Sequence, residues 1–317
     1  MKGKKLLILL GALLVALAVA YELSTRPTST ELRRRGSRVF PGLEPGDVSS
    51  FTVRTPEGTF TCRRTGGPGS RWTLTHPAAL RADSKAVQNI IRQLCTSTKQ
   101  GELSPERKGD TGLADYGLDD PGVSVTLETS GPDERSYTLL AGSETGIAGG
   151  VWARLRGGKK VFSLSGEVAD SIDVTLAKLR SKKLVPEVAM DDLESVRLQV
   201  RGSSGREERT VACEKRNDRW ELTSPVHDLA NPRAVSSLVD RVTAHTLKDK
   251  DFVAIEPEDR ARYGLDSPHL RLTLTTPRGE TTLLVGKKTE KGTARYAMHA
   301  GEPAVVTVPS RLVGEVT

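Results

Sequence analysis

The chain has 317 residues, enough for two domains at about 150 residues each, and carries 47 Lys and Arg against 40 Asp and Glu, a net charge of +7. The excess sits at one end: residues 1–38 hold eight basic and two acidic side chains, which leaves 39 basic against 38 acidic over residues 39–317. A nearly neutral body with 4% aromatic residues excludes nucleic-acid binding of the basic-patch or base-stacking kind.

Lys2, Lys4 and Lys5 lead into Leu6–Tyr21, sixteen residues without a charge. As a helix this run spans about 24 Å, with lysines to snorkel at one end and Tyr21 at the other interface. It predicts an N-terminal transmembrane anchor over residues 1–21, inserted in the inner membrane through residues 6–21. Ala18-Val19-Ala20 also fits the small-x-small pattern of a cleaved signal, which would release a secreted body. The lysines abut the apolar run, whereas Arg33, Arg34, Arg35 and Arg38 lie ten or more residues beyond it. That asymmetry predicts a periplasmic body. Residues 22–38, polar and broken by Pro27 and Gly36, read as a basic stem.

The body reads as a duplication, residues 39–180 and 181–317. Tyr116-Gly117-Leu118-Asp119-Asp120-Pro121 recurs as Tyr263-Gly264-Leu265-Asp266-Ser267-Pro268, and seven of the twelve positions from Tyr116 to Leu127 are identical to Tyr263 to Leu274. Arg71-Trp72 and Pro77 match Arg219-Trp220 and Pro225, while Gly142 and Trp152 match Gly286 and Tyr296. In chain order, each repeat opens with two alternating runs, 48–54 and 59–64, then 196–201 and 209–214. A short strand carrying the tryptophan follows, at 71–75 and 219–223. Next comes an amphipathic helix. Asp83 caps the first, with Val87, Ile90, Ile91 and Leu94 as its stripe; Asn231 caps the second, with Pro232 in its first turn and Val235, Leu238, Val239 and Val242 as its stripe. Strands are predicted at 123–129, 135–141, 151–155 and 160–164, with equivalents at 270–275, 281–285, 294–298 and 304–308. A helix from Gly166 would place Val168, Ile172, Leu176 and Leu179 on one face. The fold class is α+β: a tandem duplication of a mostly antiparallel-sheet-plus-helix domain behind a transmembrane helix.

Turn chemistry accounts for the repeated hexapeptide. Glycine permits a positive φ, the aspartate can bond nearby amides, proline ends the turn before a strand, and tyrosine and leucine anchor the loop. Trp72, Tyr116, Gly117, Leu118, Asp119 and Pro121, with Trp220, Tyr263, Gly264, Leu265, Asp266 and Pro268, are therefore structural motif residues first and binding candidates second.

A lysine-led membrane segment, then Trp-x-Leu-x-x-Pro (Trp72 to Pro77, Trp220 to Pro225) before an Asp-capped helix, then Tyr-Gly-Leu-Asp-x-Pro before strands, resembles the bacterial "domain of unknown function 4340" family over nearly all of residues 39–317. The resemblance implies a membrane-anchored envelope protein, often associated with ABC-type transport components of the kind linked to gliding motility. It implies no established activity and no catalytic residue.

No His-Glu-x-x-His, Gly-x-Ser-x-Gly or Gly-x-Gly-x-x-Gly occurs, and Gly286-Lys287-Lys288-Thr289 lacks the upstream glycine of a phosphate loop. The five histidines do not cluster. No catalytic, cofactor-binding or metal-ligating residue is assigned. Cys62 and Cys213 occupy matching strand positions, and with Cys95 they read as small buried side chains rather than a disulfide framework. Two classes remain. One is a non-enzymatic accessory that binds an envelope protein, such as a transporter subunit. The other is a binder or hydrolase of cell-wall glycan or exported polymer, which would need an aromatic groove or paired carboxylates. Ser124 against Arg271, Gly122 against His269 and His76 against Ser224 differ between repeats, which predicts a binding surface on one repeat or between the two.

Overall fold

The computed structural model describes residues 36–314 apart from 65, 67–69, 105–111, 132–133, 147–148 and 203–207. The apolar leader and nearly all of the stem lie outside the described residues, and no described helix is long and apolar enough to cross a membrane. By contact density the chain forms two compact units: one combines residues up to Phe51 with Gln88–Asp173, the other Thr52–Val87 with Val174–Thr317.

The alternating runs form strands. The first repeat contains β1 (Val48–Thr55), β2 (Gly58–Arg64), β3 (Trp72–His76), β4 (Leu80–Arg81), helix α1 (Ser84–Thr96), β5 (Gln100–Leu103), β6 (Val123–Thr129), β7 (Ser136–Glu144), β8 (Val151–Leu155), β9 (Val161–Leu164) and helices α2 (Gly166–Ile172) and α3 (Leu176–Leu179). The second contains β10 (Ser195–Val200), β11 (Arg209–Arg216), β12 (Arg219–Ser224), β13 (Asp228–Leu229), α4 (Pro232–Ala244), β14 (Phe252–Ala254), β15 (Leu270–Thr276), β16 (Gly279–Lys288), β17 (Ala294–His299), β18 (Val305–Pro309) and α5 (Ser310–Gly314). The strand orders are β4-β3-β2-β1-β6-β7-β8-β9-β5 and β13-β12-β11-β10-β15-β16-β17-β18-β14. They correspond strand for strand, so the repeated residues carry a repeated topology. The neighbours β10–β11, β10–β15, β15–β16, β16–β17 and β17–β18 all pair antiparallel, as do β6–β7, β7–β8 and β8–β9.

Both helix caps form as the residues dictate. Asp83 Oδ1 accepts the N–H groups of Lys85 and Ala86, at 3.1 and 3.0 Å, and Asn231 Oδ1 accepts that of Arg233 at 3.0 Å. Each such bond satisfies a first-turn amide that has no partner within the helix. In the second repeat α4 lies between the two edge strands in sequence, and its Val235, Val239 and Val242 join Val196, Leu198, Leu270, Leu272, Leu274, Leu283 and Val285 in one core. Alternation along β15 explains this: Leu270, Leu272 and Leu274 turn to the helix while Arg271 turns away.

Two expectations need correction. The single helix from Gly166 is two short helices, because Asp173-Val174-Thr175 interrupts it and the Thr175 hydroxyl caps α3 by accepting the Lys178 N–H. Asp, β-branched Val and Thr are weak in helix interiors and favour such breaks. The alternation predicts no strands at the sheet edges, where β4, β5, β13 and β14 form; at two to four residues each they are too short to show a period.

Candidate functional site

The repeated hexapeptide forms the same loop twice. Tyr116 and Tyr263 each end a single 3-10 turn, Ala114–Tyr116 and Ala261–Tyr263. Gly117 and Gly264 follow with φ of 64° and 69°, a left-handed conformation that costs a side-chain-bearing residue. The turn closes when the Gly264 N–H donates to the Ala261 carbonyl (2.9 Å) and the Leu265 N–H to the Arg260 carbonyl (3.2 Å), matched by Gly117 to Ala114 and Leu118 to Leu113. The aspartates do not serve as expected: Asp119 and Asp266 stand exposed, and backbone amides hold the turn instead.

The loop seals a satellite core. In the second repeat Leu265 packs with Leu284, Met298 and Val305, beside Tyr263 and Tyr296. In the first, Tyr116, Leu118 and Val161 pack with Leu140 and Trp152. The tyrosines meet their partners edge to face, Tyr116–Trp152 at 5.1 Å and 77° and Tyr263–Tyr296 at 5.0 Å and 70°. Gly142 and Gly286 lie directly beneath: a Cβ on either would collide with the carbonyl oxygen of Tyr116 or Tyr263. Close approach of two backbones is thus what the matched glycines provide. The tryptophans belong to the main cores, Trp72 at 2% exposure and Trp220 at 6%, and Arg64 lies 5.5 Å from the Trp72 ring centre.

In the second repeat the end of this loop is also one wall of a cleft. Ser267 and Pro268 face Gln199, Arg201 and Glu208, with Arg271 completing the lining, around a volume of about 280 Å³. Register sets the arrangement: Gln199 lies opposite Arg271 across β10–β15, and the Arg201 N–H donates to the His269 carbonyl at 2.8 Å. Arg201 Nη1 donates to the Ser267 carbonyl at 3.3 Å, and Gln199 Nε2 donates to Glu208 Oε1 at 3.4 Å. Lys288 and Arg295, paired across β16–β17, add their charge nearby. Burial first, then these two cations, pushes the His269 imidazole below its ordinary pKa. Burial also lowers the Arg295 pKa, and its Nη1 donates to the Gly286 carbonyl at 2.9 Å. Among the described residues none of Arg201, Arg271, Lys288 and Arg295 forms an ion pair with a carboxylate. Carbonyl oxygens accept from two of them, Arg201 and Arg295. At these positions the first repeat has Pro56, Ser124, Glu144 and Val151.

Two cations and one carboxylate among the described lining residues, with Lys288 and Arg295 beside His269, suit retention of an anion rather than proton transfer between paired acids. Sequence comparison of the repeats had marked Arg271 and His269 as divergent. Arg201, Lys288 and Arg295 were missed, although the same comparison carried to every outward position would have found them. Elsewhere the thiols are buried: burial raises Cys62 to a pKa of about 12, and burial with the Glu44 charge raises Cys95 to about 12. Cys62 and Cys213 stand opposite Leu74 and Leu222, each beside a register shift.

A family model described as "Domain of unknown function (DUF4340)" matches residues 72–245 and 220–314. Both matched segments begin at a repeat tryptophan. No curated protein and no solved structure matches the chain.

Proposed function

The chain belongs to the DUF4340 family, and from that premise we propose that it is a membrane-anchored, non-enzymatic envelope protein whose periplasmic body binds an acidic protein partner through the second repeat. The leader Leu6–Tyr21 supplies the anchor in the inner membrane and the three N-terminal lysines set its orientation. An accessory role beside an ABC-type transport system follows from the family resemblance. The acidic chemistry of the partner follows from the cleft.

The observation that carries the reading is the contrast between repeats on a shared frame. Turn and core residues correspond, whereas Arg201, Arg271, Lys288 and Arg295 replace Pro56, Ser124, Glu144 and Val151. A shared fold has no need of those four charges. Association needs only a modest patch with a few anchors, and arginine is a favoured anchor for carboxylates. Glycan hydrolysis would call for a second carboxylate, and among the described residues Glu208 is the single acid lining the cleft.

The test is photocrosslinking from position 199 in the full-length protein in its own membrane. A discrete adduct with an envelope protein, lost in the Arg201→Glu, Arg271→Glu double variant, is expected. No adduct, or an adduct indifferent to charge reversal, would overturn the reading. So would turnover of a glycan, peptide or nucleotide that Glu208→Gln abolishes.

A further inference from the structure

The two sheets end in equivalent edge strands, β4 and β13, but among the described residues only the β4 edge is covered. Alongside β4 runs the extended segment Leu179-Arg180-Ser181. The Asp83 N–H donates to the Leu179 carbonyl at 2.7 Å, the Ser181 N–H donates to the Arg81 carbonyl at 2.7 Å, and Ala82 and Arg180 form an antiparallel bridge. Leu179 is fully buried, and Ala78, Leu80 and Ala82 of the β4 segment are buried as well. Arg180 closes the outside by lying 3.5 Å over the Phe252 ring, with Asp249 at 3.3 Å.

Equivalence of β13 is fixed by register. Thr73 and Leu74 face Arg81 and Leu80, as Glu221 and Leu222 face Leu229 and Asp228. The Ala82 N–H donates to the Trp72 carbonyl, as the Ala230 N–H does to that of Trp220. Leu229 and Asn231 therefore stand where Arg81 and Asp83 stand. Among the described residues no backbone bond reproduces the two that Leu179 and Ser181 make. Leu229 is 70% exposed and Val226, the counterpart of buried Ala78, is 58% exposed.

We propose that the β13 edge is a strand-addition site for an extended segment of a partner protein, one that places an apolar side chain where Leu179 sits in the first repeat. The occupant is read from the molecule itself, because the first repeat shows the same edge filled. The Leu229 carbonyl would accept and the Asn231 N–H would donate, giving register, while Val226 and Leu229 give the apolar contact that main-chain bonds lack. Identification of the strand donor as a protein partner rests on the proposed function; the competence of the edge does not depend on the cationic cleft.

The probe is a fluorescein-labelled synthetic peptide with the sequence of Leu176–Lys183, titrated into the full-length protein in detergent and followed by anisotropy and amide hydrogen exchange. Saturable binding, slowed exchange at Asn231 and at least tenfold weakening by Leu229→Asp are expected. Leu229 is exposed, so that variant leaves the fold intact. The Arg201→Glu, Arg271→Glu variant should bind the peptide normally, which separates failure of this site from failure of the cleft. No saturation, equal binding of a scrambled peptide, or full affinity in Leu229→Asp would overturn the proposal. So would self-association of the protein that Leu229→Asp breaks, since a second copy would then be the occupant.

Discussion

Gly286→Ala adds one methyl group, and the structure says where it goes. That Cβ would overlap the Tyr263 carbonyl oxygen and crowd Gly264, and both neighbours are backbone, which cannot rotate away. The loop must lift. Leu265 then loses burial worth about 1.5–3 kcal/mol, and the Tyr263–Tyr296 edge contact loses about 0.5–1.5 kcal/mol more. The expected cost is about 2–4.5 kcal/mol in the second repeat, read as a lower urea midpoint by circular dichroism. Gly142→Ala should act alike on the first repeat through the Tyr116 carbonyl. Gly122→Ala is the control: it adjoins the same motif, but its Cβ would meet nothing within 4 Å, so a change within about 0.5 kcal/mol is expected. If Gly286→Ala and Gly122→Ala unfold alike, the close approach does not govern the loop, and the satellite core does not hold it.

Trp72→Ala and Trp220→Ala should each cost about 3–5 kcal/mol by calorimetry, each lowering the transition of its own repeat; near-neutral effects would mean exposed rings. Cys62 and Cys95 should react with a thiol reagent only on unfolding, since burial holds each near a pKa of about 12; rapid labelling of the native protein would contradict their placement. His299, lowered to about 4 by burial and then by Arg81, is 3.7 Å from Glu302, but the Glu302 carboxylate is engaged by Arg81. The unfolded state therefore binds the extra proton between about pH 4 and its ordinary value of 6.5. Stability should fall as pH drops through that window, by on the order of 1–2 kcal/mol after solvent screening, and His299→Gln should flatten the slope.

Duplication was legible because a shared fold repeats its punctuation. Tyr-Gly-Leu-Asp-x-Pro, the Trp strand and the capped helix survive at nearly constant spacing, and the alternation of Val123, Val125 and Leu127 shows which face is buried. The role of Gly142 and Gly286 was not legible. A glycine required by the approach of another segment looks like any other until that segment is placed. Asp119 and Asp266 show the opposite failure: their residue type suits a turn bond, yet amide-to-carbonyl bonds suffice and leave the carboxylates exposed. The cationic cleft draws Arg201 from just past the end of β10 and Arg271 from β15. Only register brings such residues together, and no local motif records it. The β13 edge was invisible for a different reason, since two residues carry no period.

Binding of an acidic partner by the second repeat is tested most directly by measuring the affinity of the full-length protein for the protein crosslinked from position 199, at two salt concentrations. Arg201→Glu with Arg271→Glu should weaken binding at least tenfold and flatten its salt dependence. Pro56→Glu with Ser124→Glu, at the matching positions of the first repeat, should leave affinity unchanged. Equal losses from both pairs, or none from the first, would contradict the account.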